Sequence, residues 1–285
     1  MWKFLSWIIL FILWIFLISA LIIDTAIYAD IIGTMYFTKT PTIIVYGILM
    51  VICAYGAKRG LEQIGSVAWL SFPYIQFSFF VALLLTMGQG NANFLFPIFG
   101  PGAWEIVKES SLKLSIFGDF VFLFFIIPYV KNTNVFKKGT WIALFVIVAN
   151  MVIGMISYVF LFDYTTVMQL NYPFHEVIRT ISVGFLANLE TFFFPFWIIE
   201  SIVRFAAYLF LTALLFGHLF HIKHFEYIIP SLATIVVFIG ILPETPSDTI
   251  FVLREGLLWG ASPILFLLPF LIWVIAKVKG VLKNE

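Results

Sequence analysis

SIFGDFVFLFFIIPYV, residues 115–130, is apolar enough to enter a bilayer, yet it carries a Gly-Asp pair near its start and a proline near its end. An ionised carboxylate inside a hydrocarbon-buried helix costs about 2.5 to 3.5 kcal/mol on insertion scales, so Asp119 requires a partner, a proton or a water-filled cavity. Gly118 beside it has no side chain to pack and permits the backbone to unwind. Discontinuous helices of this kind form the midplane sites of secondary transporters, where freed amides and carbonyls face the substrate. The simpler reading makes 115–119 the entrance of an ordinary helix, with Asp119 as a wet first-turn acid.

The surroundings of this run are those of a membrane protein. Hydrophobic residues make up 62% of the 285, charged residues 11%, and the mean hydropathy is +1.08, whereas soluble domains carry about 25% charge. A formal net charge of +1 argues against an electrostatic nucleic-acid surface. Cys53, alone in the chain and inside an apolar run, supports neither a disulfide framework nor a thiolate metal site. At the N-terminus the apolar core covers 4–23, longer than the roughly 7 to 15 residues of a signal peptide's apolar region, and reads as a retained spanning helix.

Further apolar runs lie at about 41–57, 64–87, 114–130, 140–162, 190–217, 226–242 and 256–276. Their continuity, without alternation, implies helices rather than barrel strands. The expectation is an all-α polytopic membrane protein of about eight transmembrane helices, forming a single permease-like domain over 1–285. With the N-terminus in the cytoplasm, Lys3, Lys58, Arg59, Lys131, Lys137, Lys138, Lys223, Lys277, Lys279 and Lys283 fall inside. Lys39, Lys108, Lys113, Arg179 and Arg254 fall outside, so the positive-inside rule places both termini in the cytoplasm. The outer stretches 88–113 and 163–189 are long and suggest a gate or cap; 172–186 has the spacing of a short surface helix with a proline start.

Within the span 190–217, Glu200 and Arg204 are four residues apart and share a helix face. They read as an intramembrane ion pair, either a structural tie or part of a pathway. Glu190, ten residues earlier, lies nearer the outer surface, as a solvated cap or as part of a site. Asp24, Tyr28 and Asp30 follow the first apolar core and read as a helix-end polar cluster. His218, His221 and His224 invite a metal reading, but no carboxylate partner or HExxH accompanies them, and a helix end with dipole-friendly histidines is favoured. No nucleophile motif, phosphate loop or dinucleotide loop is present, so neither an enzyme nor a bound cofactor or metal is expected.

FGDFVFLFFIIPYVK, the preceding FPIFGPG and the block FLANLETFFFPFWIIESIVRF resemble the spore-germination permease family, the B subunits of nutrient germinant receptors within the amino acid, polyamine and organocation permease superfamily. The resemblance covers nearly the whole chain in the same order. It implies a LeuT-like fold of two inverted five-helix repeats. Counting from the broken run, 114–285 would be the second repeat and 1–113 the three-helix remainder of the first. The chain would thus be an N-terminally truncated version of the fold, lacking the first two helices and inactive when expressed alone.

The resemblance further implies a ligand between the broken first and sixth helices, with the third and eighth lining the site. The sixth-helix contribution falls on Phe117, Gly118 and Asp119, where relatives commonly have Gly-Glu, and the eighth-helix contribution on the face that includes Glu190. Implied are recognition of an amino acid or similar nutrient, A and C subunits as partners, and residence in the spore inner membrane or bacterial cell membrane. A proton- or sodium-coupled amino acid transporter and an inactive remnant are the alternatives.

Overall fold

Leu13, Leu17 and Leu21 recur at every fourth residue and are all buried, so the first helix turns one leucine edge inward. This helix, α1 (Trp2–Ile31), continues through a π turn at Ile32–Tyr36. It outruns its apolar core because Asp24 and Asp30 both find partners inside the protein. The polar cluster Asp24, Tyr28 and Asp30 occupies the last turns of α1, ahead of the π turn.

The structure, a computed structural model, describes residues 2–181 and 189–278. The remaining helices are α2 (Thr42–Lys58), α3 (Leu61–Met87), α4 (Ala103–Leu112), α5 (Asp119–Phe122), α6 (Thr133–Val167), α7 (Pro173–Thr180), α8 (Glu190–Leu219), α9 (Ile229–Gly240) and α10 (Glu255–Val278). No strand occurs among the described residues. Lys279 and Lys283, residues 182–186 of the surface-helix segment and 185–188 of the block quoted above lie outside them.

Among the described residues, five helical segments are long and apolar enough to cross a membrane: Phe4–Tyr36, Leu61–Met87, Thr133–Val167, Glu190–Leu219 and Asp248–Ile275. A sixth is added if Ala103–Leu112 and Leu114–Tyr129, bent by 53° at their junction, count as one broken span. The apolar runs at 41–57 and 226–242 form shorter helices, Thr42–Lys58 and Phe225–Gly240. A 12-residue α9 rises only about 18 Å at 1.5 Å per residue, against about 30 Å of hydrocarbon.

α8 is the centre of the bundle and packs against α1, α2, α3 and α9. Phe205, Leu209 and Ala213 form its inner ridge, meeting Leu17 and Leu21 of α1, Leu49 and Cys53 of α2 and Val236 of α9 in one core. Close approach, not expulsion from water, drives helix association in lipid. Gly56 of α2 accordingly faces Ala206 so tightly that an added Cβ would sit 3.2 Å from its methyl group. The opposite faces carry exposed Val51, Trp69, Phe77, Trp141, Phe145 and Phe266, as lipid-facing surfaces should. α6 is peripheral and is tied to α3 by a hydrogen bond from Asn150 Nδ2 to Gln76 Oε1 of 3.1 Å.

The decisive run is broken, and the break is built from tight turns. A 3₁₀ turn at Leu114–Phe117 leads into α5, and a second at Leu123–Tyr129 contains Pro128. Gly118 does not unwind the chain, as its sequence context suggests, because its backbone is right-handed helical at φ −57°, ψ −26°. The glycine answers to space: a Cβ there would lie 2.9 Å from both the Ser115 carbonyl oxygen and Leu265 Cδ1 of α10. Beyond the bundle, α7 begins with a proline and buries His175, Val177 and Ile178. At the other end of α8, His221 takes a left-handed conformation, φ 57°. The Ile222 amide then donates to the Gly217 carbonyl at 2.8 Å, closing the helix as a Schellman turn. His221 thus terminates a helix, and no group of three or more metal-ligating side chains is assembled among the described residues.

Candidate functional site

An arginine placed in a membrane span must find negative charge nearby, because an unpaired guanidinium at depth is costly. The spacing rule nominates Glu200 as the partner of Arg204, and the structure replaces it. Arg204 Nη2 donates to Asp24 Oδ2 of α1 at 2.6 Å and lies 3.9 Å from Asp119 Oδ2. Glu200 turns to α3, where its Oε1 accepts from Ser71 Oγ at 2.7 Å. The two side chains share a helix face, but α1 and the broken run lie nearer to Arg204, so tertiary neighbours win over the local pair.

One turn further along α8, the Tyr208 hydroxyl donates to Asp119 Oδ1. The Arg204 guanidinium sits 5.5 Å from the Tyr208 ring centroid. Asp24, Asp119, Arg204 and Tyr208 therefore form one polar cluster drawn from α1, α5 and α8. Side-chain exposure is 16% for Asp24 and 50% for Asp119, so Asp24 is the deep, structural end of the cluster and Asp119 its accessible end.

Asp119 faces a cavity of about 90 Å³ that Gly118, Ser115, Tyr208, Arg204 and Asp24 also line, closed by Leu258, Ala261 and Leu265 of α10 and bordered by Arg254. The broken run is fixed against α10 by polar contacts. Ser115 Oγ donates to the Leu258 carbonyl at 2.7 Å, its amide donates to Ser262 Oγ at 3.0 Å, and Lys113 pairs with Glu255 at 2.7 Å. The turn that presents Asp119 is thereby held in place.

Of the residues singled out from sequence, Gly118, Asp119 and Arg204 meet at this cavity, and Phe117, Glu190 and Glu200 do not line it. Glu190 opens α8 and is 14 residues from Arg204, about 21 Å along the helix. It stands with Arg179 beside Tyr36. Sequence reasoning put Asp24 in a helix-end polar cluster instead of at this cavity, and missed Tyr208. The available signal was the common face of Asp24 and Tyr28, combined with the need of Arg204 for a carboxylate.

A second polar feature lies under α7. His175 is packed among Tyr36, Phe193 and Trp197, with the Tyr36 hydroxyl 3.4 Å from its Nδ1 and the Trp197 ring centroid 4.6 Å away, edge to face. Burial holds its imidazole down to about 4, against an ordinary value near 6.5. As pH falls, the unfolded chain takes up the proton first. The stability contributed is therefore complete above about 6.5 and drains away towards about 4. Thermal unfolding in detergent should show a midpoint that is level from pH 8 to 6.5 and then declines, with a shallower decline in His175→Phe. Superimposable pH profiles for the two proteins would rule this out. Close by, the Tyr172 hydroxyl donates to Asp30 Oδ2 at 2.5 Å. Burial and the adjacent carboxylate raise the Tyr172 phenol above its ordinary range, so it remains a proton donor.

Comparison with known proteins accords with this membrane architecture. The chain is 26% identical over 291 residues to spore germination protein KB of Bacillus subtilis (strain 168), covering 96% of this chain and 76% of the relative. It is 23% identical over 180 residues to spore germination protein XB of Bacillus anthracis, covering 62% and 50%. It is 20% identical over 256 residues to spore germination protein YndE of Bacillus subtilis (strain 168), covering 89% and 70%. No solved structure matches. The family model described as spore germination protein matches residues 1–249, and with the apolar helical bundle this makes the chain an integral membrane protein that belongs to the spore germination protein family.

Proposed function

We propose that this protein is the membrane-embedded subunit of a spore germinant receptor in the spore inner membrane, with both termini in the cytoplasm. It recognises an amino acid or similar nutrient and, with A and C subunits, helps trigger germination. It binds its ligand and does not convert it. The observation that carries the reading is the cavity at Asp119, where an accessible carboxylate lies on a broken segment between α1, α8 and α10. In the inverted-repeat assignment, 1–113 belongs to the first repeat and 114–285 to the second, and α1, the broken run and α8 are the third, sixth and eighth helices. Three of the elements expected around a ligand therefore border one cavity. Asp119 is the group for a ligand's ammonium: Tyr208 holds one of its oxygens, and the other is only 3.9 Å from a guanidinium already engaged by Asp24.

The competing reading is ion-coupled amino acid transport. It draws support from a second cleft of about 850 Å³, lined by Arg59, Glu62, Lys131 and Phe210. One substitution separates the two readings in cells that make the intact receptor. Asp119→Asn spores should germinate at least about tenfold more slowly in amino acids, the equivalent of losing about 1.4 kcal/mol of ligand interaction, while labelled amino acid uptake by growing cells is unchanged. Normal germination with defective uptake would establish the transporter instead.

A further inference from the structure

The cavity contains more charge than the Asp24–Arg204 pair neutralises, and the remainder has a direction. Arg254 closes the π-helical segment Asp248–Arg254 that leads into α10 and borders the cavity. Among the described residues its side chain makes no hydrogen bond, ion pair or ring contact. The acids close to it in the chain are taken: Glu255 by Lys113 at 2.7 Å and Asp248 by Thr245 Oγ1 at 2.7 Å. Asp24 is taken by Arg204 at 2.6 Å. With that pair neutral, the cavity retains one accessible anion, Asp119, and one free cation at its border, Arg254.

We infer that Arg254 is a specificity-determining residue that reads the carboxylate of a zwitterionic amino acid whose ammonium group lies against Asp119. The inference rests on the recognition reading above and narrows its ligand class. A guanidinium presents two parallel N–H donors that match the two oxygens of a carboxylate, which gives direction as well as attraction. A ligand with a positive end and a negative end thus gives Arg254 a partner and Asp119 a nearer cation than Arg204 at 3.9 Å. A sugar or nucleoside satisfies neither, and an amine satisfies only Asp119. Arg254 and Asp119 are both exposed, so each is open to one end of an incoming ligand.

The test uses spores carrying the native receptor. Probes are the twenty L-amino acids individually and, for each that triggers germination through this protein, its amide and its decarboxylated amine. In wild-type spores the amide and the amine should need at least about tenfold higher concentrations than the parent amino acid. Arg254→Gln should raise the half-saturating amino acid concentration by about tenfold or more with the maximal rate retained, and Arg254→Lys should recover part of it, since a point charge replaces the fork. If Arg254→Gln spores respond at the wild-type concentration, or the amide equals the amino acid, the carboxylate assignment is wrong while loss of response in Asp119→Asn still upholds recognition. If no amino acid acts through the protein, both readings fall. The wild-type ligand series decides without any substitution, so a poorly folding variant does not shield the inference.

Discussion

Arg204→Ala protein should be less stable than the parent by about 3 kcal/mol, because removing one partner of a desolvated pair leaves the other uncompensated. The figure is at the low end for buried pairs, since 37% of the Arg204 side chain remains exposed. Two carboxylates lose their cation together: Asp24 at 2.6 Å and Asp119 at 3.9 Å. Asp24→Asn in the same chain should restore a large part of the loss, so the double variant should be more stable than the sum of the single effects predicts by more than about 1 kcal/mol. Denaturant titration of the detergent-solubilised proteins measures the cycle. Simple additivity would mean that the short contact contributes no coupling. The same cycle run with Glu200→Gln and Arg204→Ala should come close to additive, because Glu200 is bound to Ser71 instead.

Gly240→Ala should have an effect of similar size at a site with no charge. A methyl group there would lie 2.2 Å from the Tyr46 hydroxyl and 2.7 Å from Cε1. Tyr46 is 1% exposed. Its hydroxyl is within 2.7 Å of Thr25 Oγ1 and donates to the Val236 carbonyl at 3.2 Å, so the ring cannot retreat without losing both. Overpacking costs about 1 to 3 kcal/mol and an orphaned buried hydroxyl costs about as much again, so a loss of about 3 kcal/mol is expected. Tyr46→Phe in the Gly240→Ala background should recover only part, because the ring edge still collides. A Gly240→Ala protein within about 0.5 kcal/mol of the parent, the range of ordinary surface changes, would refute the close approach of α2 and α9.

Each apolar run in the sequence contains a helix, because backbone groups in hydrocarbon must be bonded within their own segment and the composition leaves little else. What the runs conceal is length. α1 extends past Asp24 and Asp30 because those acids meet Arg204 and Tyr172, residues far away in the chain, and no local pattern announces such a meeting. The site was legible as a place, since Gly118 and Asp119 do border the cavity. It was not legible as a set of partners. The rule that joins residues four apart correctly puts Glu200 and Arg204 on one face, but it cannot weigh that pairing against a hydroxyl on α3 and a carboxylate on α1. Gly118 shows the same limit from the other side. A glycine in a helical run signals either freedom or crowding, and only the position of Leu265 decides for crowding.

Asp24 and Arg204 are 180 residues apart in the chain, and this separation is also an interval of time. At about 5 to 20 residues per second of synthesis, α1 is made roughly 10 to 40 seconds before the arginine that completes it. Throughout that interval the ribosome has produced a helix whose acid, just past the apolar core at 4–23, has no cation to meet it. The ion pair thus belongs to a late stage of assembly, closing only once α8 has been translated.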